Sequence, residues 1–503
     1  MASFLDTWLD GVDEGWGIPA FLALFILLWT VFLGIAYLNA DLHPDVIEAW
    51  AIGRTPDWGG AKHPPLMGWV THAWTTVFPA RDWSFHLLAM TNSAAALWII
   101  DLMTRRFARG DKRAIVLLLL LLLPVYQFQA QRFNANSVLF AVWPLAIYCF
   151  LQSFETRHAG WAVAAGLAGA LAILGKYYSA FLIFGFVFAA IWHPVRRAYF
   201  ASAAPWISAV AGLLLLAPHI HWMLGSGTSP FGYALATHGG LTAGRAFLSG
   251  LTFLLGIAAT LALPGLVWAV MIRTRAGDYL KGLAPLDPGL LLILLVAVGA
   301  ILAPPAVSLM LGNSLSAVWA SPGLFAFVLV AVCTARFPVS RTETRRLAAG
   351  VLALTLIAVV LLAPAHAYYR NRHPFSEGRN YYSPAAAEVM KRWRQISSVP
   401  LKTVSGDKLA MALAFYSPDH PAYVIPFNQQ YVWQTPSDAA LREGWATICL
   451  PDEETCQVWL KHQVAPVAPG AISLDFVVQP QWWGSAGIPA RITGLLVPPR
   501  AAR

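Results

Sequence analysis

Between Asn39 and Trp69 the chain reads NADLHPDVIEAWAIGRTPDWGGAKHPPLMGW, and Asp41, Asp45, Glu48, Arg54, Asp57, Lys62 and His63 crowd into it although the whole chain is only 12% charged. The stretch follows directly on a long apolar run. Ionisable groups at the point where a chain leaves a bilayer are costly to desolvate and call for partners, which makes them a candidate site. Asp45 and Glu48 lie three apart, so a helix opening after Pro44 puts both on one face. A carboxylate there can take the proton of an attacking hydroxyl. Lys62 and His63 precede Pro64 and Pro65; proline fixes its own φ and forces His63 extended, so two cationic or hydrogen-bonding heads are aimed from a rigid corner. Such donors absorb the charge that builds on a departing phosphate. An architectural reading stands beside this one: the acids cap a helix and pair with Arg54 or Lys62, a role that suits Asp41 better than Asp45, while the basic pair snorkels at an interfacial turn.

Other polar positions interrupt the apolar runs. Arg132, with Asn134 and Asn136 in the segment 131–137, sits at an external turn and reads as a phosphate ligand or as an interfacial anchor. Lys176 and Tyr177 break another run. A lysine at mid-bilayer costs about 2.5 to 3.5 kcal/mol, whereas at the interface it reaches water or an anionic head. His219 and His221 are two apart and point to different sides of a helix, a poor metal pair, and His219 is expected to line a cavity. The 225–245 loop, with Tyr233, His238 and Arg245, reads as a mobile lid or as an ordinary connection. Arg370, Arg372, His373 and Arg379, with Tyr381 and Tyr382, read as facing anionic lipid heads or an anionic acceptor, or as a solvated linker.

The elements that carry these residues are membrane helices. At 503 residues and 58% hydrophobic, with a mean hydropathy of +0.58, the chain is an integral membrane protein with room for many spans and a further domain. Its net charge of +9 comes from short basic clusters between apolar runs, the pattern that orients helices, and not from a nucleic-acid surface. Residues 1–17 read as a surface amphipathic helix, and 18–38 as a retained first span. Further spans are expected at 84–103, 114–130, 137–153, 161–174, 179–192, 205–224, 247–272, 289–311, 317–334 and 347–363, about eleven in all, with 68–78 as a partly inserted return. Basic residues at 105–113, 157, 196–197, 273–281 and 336–346 fall on alternate turns, which puts the amino terminus in the cytoplasm and the 39–69 loop outside. The expected organisation is a transmembrane module over 1–364, with an external catalytic loop at 39–83, and a small extracytoplasmic α/β domain over 365–503. Within that domain 402–404, 422–425, 446–449, 472–478 and 491–497 read as strands, and 408–415 and 453–461 as helices. Cys149 and Cys333 lie in apolar runs as packing residues. Cys449 and Cys456 form a disulfide in an oxidising compartment or stay free thiols in a reducing one.

Asp45-x-x-Glu48-Ala49-Trp50 and Lys62-His63-Pro64-Pro65-Leu66 resemble the first external loop of the polyprenyl-phosphate-dependent glycosyltransferases of the GT-C superfamily. The likeness is to its bacterial members related to protein O-mannosyltransferases and to lipid A aminoarabinose and galacturonic acid transferases. The resemblance implies a GT-C fold in a bacterial inner membrane. It also implies transfer of one sugar from a polyprenyl-phosphate donor, with inversion, to lipid A, another glycolipid, a glycan or a protein at the periplasmic face. Asp45 would be the base, with Glu48 beside it and Asp41 as second candidate; Lys62, His63, Arg132, Lys176 and Tyr177 would meet the donor phosphate. Relatives often carry an acid where this chain has Asn134 and Asn136, so no metal ligand is assigned and a requirement for a divalent ion stays open. A polytopic lipid or solute transporter is the alternative from another class, and flux into proteoliposomes that survives Asp45→Asn would mark it.

Overall fold

A computed structural model of the chain describes residues 2–38, 40–60, 62–226, 238–373, 381–424 and 438–499. The amphipathic opening forms α1 (Ala2–Glu14), the first apolar run α2 (Gly17–Ala36), and the polar loop α3 (Pro44–Gly53), entered through Pro44 at its first turn. After the Pro64-Pro65 corner come α4 (Leu66–Thr75) and α5 (Asp82–Thr104). Next are α6 (Asp111–Leu120), α7 (Leu139–Thr156), α8 (Ala159–Gly175), α9 (Ala180–Trp192), α10 (Arg196–Phe200) and α11 (Ala204–Ser226). Then follow α12 (Ala243–Met271), α13 (Ala276–Gly282), α14 (Pro288–Leu311), α15 (Phe325–Thr334), α16 (Arg341–Ile357) and α17 (Ala363–Arg372).

Among the described residues, seven helices are long and apolar enough to cross a bilayer, or eight if the 3-10 segment Ala317–Gly323 and α15, bent by 44°, form one span. The chain is a multi-pass membrane protein. The expected eleven continuous spans are not all recovered. The run 114–130 stops as an α-helix at Leu120 and resumes as a π turn, Val125–Gln129, because Pro124 between them offers no N–H to continue the ladder. Pro322 and Gly323 break 317–334 in the same way.

The chain divides into two compact units, one of residues 1–30, 57–67 and 87–357 and one of residues 31–56, 68–86 and 358–503. In the first, the fully buried Asp101 accepts from Nε and Nη2 of Arg113, both at 2.9 Å, and Arg113 Nη1 donates to the Val12 carbonyl at 3.0 Å. Arg341 pairs with Asp6, Asp10 and Asp111, and Arg345 with Asp6 at 3.0 Å, so the acidic face of α1 is clamped onto α16. Two helix pairs meet backbone to backbone. A Cβ on Gly166 would come within 2.1 Å of the Ser208 carbonyl, and one on Gly185 within 2.5 Å of the Val296 carbonyl, so both crossings need glycine.

In the second unit α18 (Tyr382–Ile396) leads into a sheet of order β2-β1-β3-β7-β4, built from β1 (Thr403–Gly406), β2 (Ala422–Val424), β3 (Trp445–Cys449), β4 (Ile472–Val478) and β7 (Ala490–Val497). A two-stranded ribbon of β5 (Gln481–Trp482) and β6 (Ser485–Ala486) stands apart from it. β1 runs parallel to β2 and β3, and β7 antiparallel to β3 and β4. α19 (Lys408–Tyr416) makes the crossover from β1 to β2. The polar-loop helix belongs to this unit, its Trp50 ring edge-on to Phe415 at 5.1 Å. Cys449 and Cys456 are joined as a disulfide across the turn between β3 and α20 (Glu454–Trp459).

Asp407 caps α19. Its carboxylate accepts from the Leu409 N–H at 2.7 Å and the Leu450 N–H at 2.6 Å, and burial nonetheless pushes its pKa up to about 7. An unfolded chain releases that proton near pH 4. Between these values the folded state binds the extra proton, so stability falls as pH rises from about 4 to about 7 and is flat above. A urea titration of the domain's tryptophan fluorescence across that range should show the decline, and Asp407→Asn should flatten it.

Candidate functional site

The structure draws three distant polar segments together in the first unit. Asn134 folds its own turn, its Oδ1 accepting from the N–H groups of Asn136 at 2.8 Å and Ser137 at 3.0 Å. That turn presents the Asn136 side chain, whose oxygen accepts from Lys176 Nζ at 2.6 Å. Lys176 leaves α8 in an extended conformation, φ −163° and ψ 135°, and its ammonium also lies 4.8 Å from the centre of the Trp319 ring. His238 meets Trp319 edge to face, ring centres 5.0 Å apart, and both its partial burial and the Lys176 charge lower its pKa.

One residue on, the Tyr177 hydroxyl lies 3.0 Å from His219 Nε2, and His219 Nδ1 lies 2.6 Å from the Trp58 carbonyl. A carbonyl only accepts, so Nδ1 carries the hydrogen, and in the neutral ring Nε2 accepts a hydrogen bond from the Tyr177 hydroxyl. His219 is 2% exposed. Trp222 Nε1 donates to Asp57 Oδ2 at 2.9 Å, and the other oxygen of Asp57 accepts from the Trp58 N–H at 2.7 Å. Lys62, His63 and Arg132 are half-buried in the same unit. Tyr233 lies outside the described residues.

Asp41, Asp45 and Glu48 belong to the second unit and have separate surroundings there. Asp41 is buried and accepts from the backbone N–H groups of Tyr382 at 2.6 Å and Ser383 at 3.1 Å, so it caps α18. Burial, then the charge of Asp82, holds its carboxyl well above the usual range. With Tyr37, Asp82, Ser383, Tyr416 and Gln481 it lines a cavity of about 410 Å³. Asp45 stands in the first turn of α3 with its side chain 41% exposed, 3.6 Å from His43 Nδ1, and Glu48 is half-buried on the same face. Arg54 pairs with neither; it donates to the Pro421 carbonyl at 2.7 Å and lies 5.2 Å from the Trp50 ring centre. Arg370 is turned inward, not toward lipid heads: it donates to the Ala36 carbonyl at 2.9 Å and stacks 3.6 Å from the centre of Tyr37. Among the described residues no group of three or more His, Cys, Asp or Glu is disposed to hold a metal ion.

Sequence reasoning missed Trp319, Trp222 and the role of Asp57. The spacing of His219 and Trp222, three apart and therefore on one helix face, was the available signal.

Comparison with known proteins bears on what this arrangement belongs to. Residues 62–222 match the family model described as dolichyl-phosphate-mannose-protein mannosyltransferase. Two crystal structures of ArnT from Cupriavidus metallidurans, one bound to undecaprenyl phosphate and one in the apo state, superpose with TM-scores of 0.60 and 0.58 at 14% and 15% identity, each over 96% of this chain and 98% of that one. The chain is thus a multi-pass membrane protein that shares the fold of ArnT, with a small C-terminal sheet domain. In sequence it is similar to lipid A galacturonosyltransferase RgtD of Rhizobium johnstonii, 26% identical over 308 residues, a match spanning 59% of this chain and 64% of that protein.

A Cβ on Gly59 would come within 2.1 Å of the Trp222 ring, so loop or indole must shift in Gly59→Ala. The expected loss is about 1–3 kcal/mol, read as a lowered melting temperature of the purified protein. Gly34→Ala, which meets open space, serves as the unaffected control.

Proposed function

We propose that this chain is a glycosyltransferase that moves one sugar from a polyprenyl-phosphate donor to a hydroxyl of lipid A or a related envelope glycolipid. The single observation that carries the reading is the Lys176 cluster. Asn136 and Trp319 orient the ammonium at the end of an apolar helix, the place where a lipid-linked phosphate would be met. The similarity to a lipid A galacturonosyltransferase and to a protein crystallised with undecaprenyl phosphate supports the same choice of donor and acceptor.

In this mechanism the acceptor hydroxyl attacks the anomeric carbon from the face opposite the phosphate, so configuration inverts. Asp45 takes the hydroxyl proton, with Glu48 beside it on α3, and the electron pair of the breaking carbon–oxygen bond leaves on the phosphate. Lys62, His63, Arg132 and Lys176 hold that phosphate, while Tyr177 acts through His219 because its proton is directed there. The basic clusters favour a cytoplasmic amino terminus, transfer at the periplasmic face of an inner membrane, and a periplasmic domain from residue 365 onward, where an oxidising compartment suits the Cys449–Cys456 bond.

Reconstitution with an undecaprenyl-phosphate sugar and lipid A tests the reading by mass shift of one sugar unit. Asp45→Asn should lower kcat by about 10²–10⁴ with an unchanged melting temperature, and Lys176→Met should raise the donor KM. Transfer at the wild-type rate by Asp45→Asn would remove Asp45 as the base.

A further inference from the structure

The segment that precedes the Lys62–His63 corner is fastened to α11 at two points. His219 and Trp222 lie three residues apart, about one turn, and so project from one face of that helix. His219 Nδ1 donates to the Trp58 carbonyl at 2.6 Å, and Trp222 Nε1 to the Asp57 carboxylate at 2.9 Å. The Trp222 ring also fills the space that any side chain on Gly59 would need. Gly59 and Gly60 are the most freely rotating residues a chain can have, so the fastenings to α11 restrict a stretch that has little conformational preference of its own. We infer that His219 and Trp222 form a latch that holds residues 57–60 in one conformation, and that His219 is a positioning residue for Lys62 and His63.

His219 suits this role and not that of a donor ligand. Both ring nitrogens are engaged, one donating to Trp58 and one accepting from Tyr177, and the ring is stacked against Tyr177 on one side and Trp222 on the other, with centres 5.8 and 6.2 Å away. To touch a phosphate it would have to surrender a bond. The same ring therefore couples the loop to the residue that follows Lys176, so two of the proposed phosphate-holding segments share one fastening. The latch stands on this geometry alone; its consequence for Lys62 and His63 rests on the polyprenyl-phosphate reading.

The test is hydrogen–deuterium exchange of the full chain in detergent, followed on peptides covering 57–63, together with the affinity for undecaprenyl phosphate. His219→Phe keeps the ring and loses both bonds. His219→Asn keeps a donor toward Trp58. Trp222→Phe keeps the cover over Gly59 and loses the bond to Asp57. Exchange across 57–63 should be about ten-fold faster, and undecaprenyl phosphate held roughly ten-fold more weakly, in His219→Phe and Trp222→Phe, with most of both effects recovered in His219→Asn. Unchanged exchange overturns the latch. Faster exchange with unchanged affinity, or no binding of undecaprenyl phosphate by the wild type, overturns the positioning role. A wild type that binds this lipid yet transfers no sugar overturns the transferase reading while the exchange contrast still decides the latch.

Discussion

An ammonium at the end of an apolar helix must be met by an oxygen or an aromatic face, and Lys176 is met by both. The requirement organises much of its surroundings. Asn136 can supply its oxygen only because Asn134 ties the 134–137 turn with its own side chain, and Trp319 can supply its face only because the 3-10 segment Ala317–Gly323 places it there. Three segments separated by some forty to one hundred and forty residues of chain are thereby bound to one charge. In a medium where unpaired polar groups are expensive, such a cluster specifies the fold as firmly as apolar packing does.

The same rule sorts the acids of the first polar loop. Asp41 enters the interior of its unit and is answered by two backbone N–H groups at the start of α18. Asp45 and Glu48, one helical turn further on, stay on the more open side of α3 while Val46, Ile47, Ala49 and Trp50 are buried. Side chains only a few residues apart thus take different positions, Asp41 buried on backbone donors and Asp45 and Glu48 on the more open face of the helix. The division follows from helix periodicity: once Val46, Ile47 and Trp50 must face inward, Asp45 and Glu48 are turned away.

Much of this was legible in the chain. Strand β4 was expected at 472–478 and stands there, and the remaining strands of the main sheet and helix α19 lie within a few residues of expectation, because alternation and helical spacing are local properties. The Cys449–Cys456 pairing was legible as one of two outcomes, its short spacing being compatible with closure. The break at Pro124 was not foreseen, since a run of leucines on one side and aromatics on the other masks a proline in a hydropathy reading. His219 and Tyr177 were each singled out, but neither their contact nor the one from His219 to Trp58 was, for the latter joins residues 161 positions apart and nothing local encodes it. Asp82 and Tyr416 escaped notice for the same reason.

The close approach at Gly166 has a mechanical implication. Gly166 rests against the Ser208 carbonyl, and the same interval along each chain brings Tyr177 against His219, so α8 and α11 run side by side in matched register. A slip of one residue would displace one helix past the other by about 1.5 Å, enough to part the tyrosine from the imidazole, and the interlocked backbones resist it. When the surrounding bilayer thins or thickens, this pair can therefore answer by leaning together as a single beam, while the depth of its polar end relative to its glycine crossing stays constant.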